Sequence, residues 1–118
     1  VISMGLLSQN EVADILSVSS CGVVPYRESL QVAYSNSCKL VEYMATGLPV
    51  VATRSGDNAR VLGDAGGKLV ESSSPDQLYA AILQQLESPI TPPFPEQWKW
   101  SSLGDNLEHF LLGICNPD

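Results

Sequence analysis

Basic residues gather around one stretch of this otherwise acidic chain. Four of its six Lys and Arg residues lie within residues 25–53 or shortly after them, namely Arg27, Lys39, Arg54 and Arg60. A carboxylate, Glu42, lies in the same stretch. A basic patch on an acidic chain is compatible with a small anionic ligand, and scattered, solvated charges are the alternative that the sequence leaves open.

A short helix followed by a buried strand must position these side chains. Ser37 can cap a helix, Gly47 supplies the left-handed conformation that ends it, and Pro49 prevents its continuation. The β-branched run at 50–53 then suits a strand covered on both faces. Helix N-termini favour phosphates, and the ends of parallel strands bind ligands. The arrangement therefore favours a ligand that carries phosphate.

Helices and strands are predicted to alternate along the rest of the chain. Strands are predicted at residues 1–5, 21–25, 50–53 and 66–70. Helices are predicted at about 8–18, 37–47, 58–62 and 74–87, with a final amphipathic helix after Trp100 and a polar loop at 25–36. This alternation predicts an α/β fold with a parallel sheet of about four strands and helices on both faces.

The length of 118 residues allows one domain, which we expect to end near residue 88. A Pro-rich connector is predicted at 89–97, and residues 98–118 are predicted to form an amphipathic helix that packs back on the domain.

The composition excludes several classes of function. The net charge of −7 argues against nucleic acid or an anionic membrane surface as the main partner. No apolar run is long enough to span a bilayer, and no export signal is visible. Three cysteines without a CxxC pair indicate reduced thiols, so we expect a cytoplasmic location. The sequence contains no Asp-x-Asp motif, and we expect neither a metal nor another cofactor.

The order of several motifs carries a family resemblance. The segment KLVEYMATGLPVVAT at 39–53 follows a strand ending in proline and precedes a glycine-containing turn and the segment GGKLV at 66–70. A Gly-Leu-Leu-Ser-x-x-Glu-Val pattern begins at Gly5, and a Ser-Pro-Asp-x-Leu helix start lies at 74–78. Together these motifs resemble the C-terminal, donor-nucleotide domain of retaining glycosyltransferases with the GT-B fold, in family four and its relatives (glycosyl transferases group 1). The resemblance implies a truncated, Rossmann-like domain.

The resemblance also implies roles for particular residues. The family's helix carboxylate, here Glu42, hydrogen-bonds the ribose hydroxyls of a nucleotide-sugar donor, and an ionised carboxylate can accept two vicinal hydroxyls. Backbone amides at the start of the helix would face the diphosphate. The donor-binding set implied in this way is Arg27, Asn36, Ser37, Cys38, Lys39 and Glu42. The alternative is that Glu42 is a solvated helix residue paired with Lys39, a surface ion pair that would stabilise the fold little.

The chain departs from the family pattern at several points. Many members carry a second glutamate eight positions before the ribose glutamate, a place that Tyr34 occupies here. Glu28 lies in the same loop and is the candidate to replace it, and no other catalytic residue is assigned. The glycine usual at the helix start is Ser37. Two strands of the family domain and the acceptor-binding domain have no counterpart in this sequence.

These departures leave several functions open. The chain is predicted to be the donor-binding part of a glycosyltransferase and nearly inactive alone, because catalysis there rests on positioning across two domains. The alternatives are a non-catalytic module that binds nucleotide sugars or other proteins, and one subunit of a split enzyme. The expected partners are a nucleotide sugar, a second copy of the chain, or a complementing N-terminal domain. Residues 2–4 are predicted to pair with 22–24, or two chains to complete each other's sheets.

Overall fold

The computed structural model of the chain describes residues 1–35, 37–63, 66–71 and 74–115. Within them, the chain forms a sheet of three parallel strands and six α-helices, of which three pack on the sheet. The strands are β1 (Gly22–Val24), β2 (Val50–Thr53) and β3 (Lys68–Val70), in that spatial order. The helices are α1 (Gln9–Val18), α2 (Leu30–Ala33), α3 (Cys38–Ala45), α4 (Asn58–Leu62), α5 (Pro75–Glu87) and α6 (Trp100–Cys115). The predicted α/β fold is confirmed.

Both faces of the sheet are covered, as the apolar run of β2 predicts. On one face, α3 and α4 pack on alternate strand residues in a core formed by Val24, Leu40, Met44, Val50, Ala52, Val61 and Leu62. On the other face, α5 packs on the intervening residues Val51 and Val70 through Leu78, Ala81 and Ile82. All four residues of β2 are buried, which is the pattern of a central strand between two helical layers.

The chain direction places the N-termini of several helices at one edge of the sheet. In a parallel sheet, each crossover helix runs back from the carboxyl end of one strand toward the amino end of the next. Accordingly α3, between β1 and β2, begins at the carboxyl edge of the sheet, and α5 begins at the same edge after β3. Pairing of Val24 with Ala52 and of Thr53 with Val70 aligns the strand ends there.

The caps read from the sequence are present. Ser8 and Glu11 form a capping box at the predicted start of α1. Ser37 Oγ accepts a hydrogen bond from the Leu40 amide at 3.4 Å, and Ser74 Oγ accepts one from the Gln77 amide at 3.3 Å. Gly47, with φ of 72°, follows the end of α3 in the left-handed conformation.

The predicted strand at residues 1–5 is wrong. These residues form no strand and pair with none, and the side chain of Ile2 is 90% exposed. A strand persists only where a neighbouring strand satisfies its backbone groups, and no strand of the described residues lies paired beside this segment. The described sheet therefore has three strands rather than about four, and β1 is paired only with β2. Completion of the sheet by a second chain stays a prediction.

The structure contains one helix that the sequence analysis assigned to a loop. Helix α2 lies within the predicted loop at 25–36 and spans four residues after Ser29, whose hydroxyl accepts a hydrogen bond from the Val32 amide at 3.2 Å. A helix this short has no repeat of apolar positions, so only its cap could have indicated it.

The connector after α5 is fastened to the domain. Gln85 is fully buried, and its side-chain amide donates to the carbonyl oxygens of Val50 and Ile90 and accepts from the Ile90 amide. A 3-10 turn at Glu96–Trp98 ends the connector, and Trp98 packs edge-to-face on Phe94, with ring centroids 6.5 Å apart, against the α3 side of the core.

The packing of residues 98–118 back on the domain stays a prediction, and residues 116–118 lie outside the described residues. Helix α6 has no buried residue and packs on the 3-10 turn before it. None of the helices in the described ranges combines the length and apolar character required to cross a bilayer.

Candidate functional site

A cleft of about 570 Å³ opens at the carboxyl edge of the sheet. The loop after β1, the end of β2 and the first turn of α5 form its walls, through Pro25, Arg27, Glu28, Thr53, Ser74, Pro75 and Leu78. This is the edge at which open parallel sheets bind ligands. Arg27 and Glu28 were predicted as site residues, whereas Thr53 was predicted only as part of a strand and Ser74 only as the start of a helix.

Hydrogen bonds from the end of β2 hold the loop after β1, residues 25–29 (the cleft loop), in place. The Thr53 hydroxyl lies 2.8 Å from the Tyr26 carbonyl oxygen and 3.3 Å from that of Val24. Asn58 Nδ2 donates to the Thr53 carbonyl at 2.9 Å. These bonds join the loop that carries Arg27 to the turn after β2.

The first turn of α3 contacts the same loop. Ser37 is buried at the cap, whereas Cys38 and Lys39 are exposed. Lys39 Nζ lies 5.6 Å from the centroid of the Tyr26 ring, a cation–π contact. The predicted phosphate-binding helix start therefore lies next to the residue that precedes Arg27 in the cleft loop.

Glu42 lies on a neighbouring groove. Its side chain is exposed, and it lines a space of about 360 Å³ between α1 and α3. The other residues of this groove are Leu7, Gln9, Val12, Ala13, Leu16, Ala45 and Thr46. The carboxylate is thus accessible, but the cleft that contains Arg27 does not include it.

Two of the four cations around the site form ion pairs in the described residues. Arg54 Nε lies 3.4 Å from a carboxylate oxygen of Glu71, and Arg60 makes a bidentate contact with Asp57. The hydrogen bonds from Arg60 hold the pKa of the Asp57 carboxyl below its ordinary value. Within residues 1–35, 37–63, 66–71 and 74–115, neither Arg27 nor Lys39 forms an ion pair. The alternative pairing of Lys39 with Glu42 is therefore not formed there.

The structure brings together part of the predicted site. Arg27 and Glu28 line the cleft, Lys39 lies beside their loop, and Glu42 lies one helical turn further along α3. Tyr34, at the place of the family's second glutamate, is 90% exposed and is not among the cleft residues. Asn36 lies outside the described residues. No donor role is tested by this geometry, so each stays a prediction.

The described ranges contain no group of three or more His, Cys, Asp or Glu side chains placed to hold one metal ion.

Comparison with known proteins identifies the family. Residues 1–88 match the family described as glycosyl transferases group 1. A GDP-mannose-dependent monoacylated alpha-(1-6)-phosphatidylinositol monomannoside mannosyltransferase of Corynebacterium glutamicum is 25% identical over an alignment of 125 positions, which covers 92% of this chain. The chain spans about a third of that relative, 31% of its length. The family match includes the cleft loop, α3 and β2, and we conclude that the chain belongs to the glycosyl transferases group 1 family.

Proposed function

We propose that this chain is the donor-binding part of a glycosyltransferase. In this role it holds a nucleotide-diphosphate sugar whose glycosyl group passes to an acceptor. The observation that carries the proposal is the family match over residues 1–88, which includes the start of α3 and the cleft beside it. The nucleotide sugar is a substrate, and the proposed chemistry uses no cofactor.

The diphosphate has a suitable binding surface next to the cleft. The N-terminus of α3 favours negative charge, and the backbone amides of Cys38 and Lys39 lie in its first turn. Lys39 lies on this first turn and Arg27 lies on the cleft loop next to Tyr26, and neither is neutralised by an ion pair in the described residues. Two cations and a helix N-terminus complement the charge of a diphosphate.

The nucleoside is assigned to the groove between α1 and α3. Glu42 is exposed there, one turn beyond Lys39, and can accept hydrogen bonds from both ribose hydroxyls. A donor bound in this way extends from the cleft, across the first turn of α3, to the groove. The sugar then lies on the cleft side near Glu28, the candidate for the second glutamate of the family.

Calorimetric titration of nucleotide sugars into the full chain tests this function. GDP-mannose is the first probe because the Corynebacterium relative is named as GDP-mannose-dependent, and UDP-glucose and ADP-glucose are the comparisons. Saturable binding of at least one donor is expected. In Glu42→Ala, we expect affinity to fall by roughly 10- to 100-fold, because a hydrogen bond to a charged group contributes about 1.5–3 kcal/mol.

The matched control is Glu108→Ala, which removes an exposed carboxylate from α6 and should bind the donor as the unchanged chain does. Equal affinities of the Glu42→Ala variant and the unchanged chain would exclude the ribose role. Absence of binding for all of these donors would instead favour the interaction or split-subunit alternative. The exposed apolar side chains of α6, Leu103, Leu107, Phe110 and Ile114, agree with that alternative.

A further inference from the structure

Three polar side chains are buried where β2 ends. Thr53, Ser55 and Asn58 are only 3%, 6% and 2% exposed, and Thr53 also lines the open cleft. Burying a polar group costs free energy unless the group is hydrogen-bonded. The hydrogen-bond partners of these three side chains therefore indicate which segments they hold together.

The proton positions in this group follow from its acceptors. Thr53 has one hydroxyl proton, and the nearby Tyr26 and Val24 oxygens are carbonyls that can only accept. Thr53 therefore donates to Tyr26 at 2.8 Å, the shorter of the two contacts. Ser55, whose oxygen lies 3.0 Å from that of Thr53, then donates to Thr53. Through Thr53, these buried side chains thus donate one hydrogen bond to the backbone of the cleft loop.

Tyr26 connects this hydroxyl to Arg27 and Lys39, the two cations of the proposed site. Its carbonyl oxygen accepts from Thr53, its ring lies under Lys39 Nζ, and Arg27 follows it in the chain. A displacement of Tyr26 would move Arg27 in the cleft and remove the contact that orients Lys39.

We propose that Thr53 is a positioning residue for donor binding. Its hydroxyl fixes Tyr26, and through Tyr26 it sets the separation between Arg27 on the cleft loop and Lys39 on α3. The inference rests on the proposed function, because it assigns these two cations to the donor's diphosphate. Thr53 itself acts through the loop and is not assigned a contact with the donor.

Two substitutions separate the hydroxyl from the shape of the side chain. Thr53→Val keeps the β-branched form that suits a strand but cannot donate to Tyr26. Thr53→Ser loses the methyl group and keeps the hydroxyl. We would measure backbone amide exchange over residues 26–28 and the affinity for GDP-mannose, UDP-glucose and ADP-glucose in the full chain.

In Thr53→Val, we expect amide exchange at 26–28 to accelerate and donor affinity to fall, each by about tenfold, the effect of losing one buried hydrogen bond. Thr53→Ser should restore both values to within about threefold of the unchanged chain, since the hydroxyl is retained. Unchanged exchange and affinity in Thr53→Val would overturn the proposal, and so would an equal loss in both variants.

Two further measurements cover the cases in which Thr53→Val does not fold or the unchanged chain binds no donor. If circular dichroism shows that Thr53→Val does not fold, Thr53→Ala replaces it, because it also removes the hydroxyl that donates to Tyr26 and places no extra methyl group there. It should change exchange and affinity in the same direction, and unchanged values would overturn the proposal. If the unchanged chain binds none of the donors, the proposed function fails, while the exchange rates in the variants still decide whether Thr53 holds the loop.

Discussion

Carboxylate partners decide which cations remain available to a ligand. Arg60 is occupied by Asp57 through two nitrogen–oxygen contacts of 2.9 Å and 2.5 Å. Lys39 instead lies over the ring of Tyr26, which orients the ammonium group without neutralising it. The sequence shows that all four cations lie near one another along the chain. It cannot show which of them form ion pairs, because this depends on the side chains that the turns after β1 and β2 bring into contact.

The Asp57–Arg60 contact makes a prediction about pH. Its hydrogen bonds lower the pKa of Asp57, so the folded state favours the carboxylate more than the unfolded chain does. The resulting contribution to stability is present above the ordinary pKa of Asp and is lost as pH falls through the folded value. In Arg60→Gln, we expect the Asp57 titration midpoint, followed by carboxyl ¹³C chemical shifts, to rise toward the ordinary value.

The control for this titration is Lys99→Gln, which removes an exposed cation that pairs with Glu96 at 2.8 Å rather than with Asp57. It should leave the Asp57 midpoint where it is. A midpoint equally low in Arg60→Gln would show that Arg60 is not the cause of the shift.

At the scale of elements, α2 depends on a glycine in another loop. Gly56 lies in the turn after β2 with φ of 53°, and a Cβ built on it would overlap the Val32 carbonyl oxygen in α2. The absence of a side chain therefore lets α2 pack on this turn, beside the loop that carries Glu28. Sequence inspection marks Gly56 as a turn residue only, since the overlap involves backbone 24 residues away.

Gly56→Ala should consequently destabilise the fold. The left-handed conformation costs a non-glycine residue about 1–3 kcal/mol, and relief of the overlap with Val32 would add to this. We expect a loss of about 2 kcal/mol or more in the free energy of unfolding, measured by urea denaturation. Gly104→Ala is the matched control, because nothing lies within 4 Å of its Cβ position on α6. Alanine favours a helix there, so a loss of stability in Gly104→Ala equal to that in Gly56→Ala would contradict this explanation.

Prediction of the elements succeeded where a local signal sets the boundary. Helices α1, α3 and α5 each begin after a serine whose hydroxyl accepts a backbone hydrogen bond, a signal contained within a few residues. The segment at 1–5 has the composition of a strand, but strand formation needs a partner that a local pattern cannot supply. Likewise the apolar spacing of α6 predicts a helix correctly and says nothing about which surface covers it.

At the scale of the molecule, the proposed donor site extends from the groove between two helices to the cleft at the ends of the strands. Glu42 is in the groove between α1 and α3, whereas Arg27 is in the cleft between the β1 loop and α5. The family resemblance predicted both residues, but it could not predict that they lie in separate depressions of this chain. The start of α3 lies one turn before Glu42, and its Lys39 contacts Tyr26 next to Arg27. The proposal therefore requires one ligand to occupy both spaces and to cross the start of α3.

Chemical-shift mapping of the full, ¹⁵N-labelled chain during titration with GDP-mannose tests this bridging most directly. The account predicts saturable shifts at the amides of Arg27, Glu28, Cys38, Lys39 and Glu42, with one dissociation constant for all of them, because one donor contacts the cleft and the groove together. Saturable binding that shifts only residues of α5 or α6 would contradict it, as would shifts in the cleft and the groove that saturate with different constants.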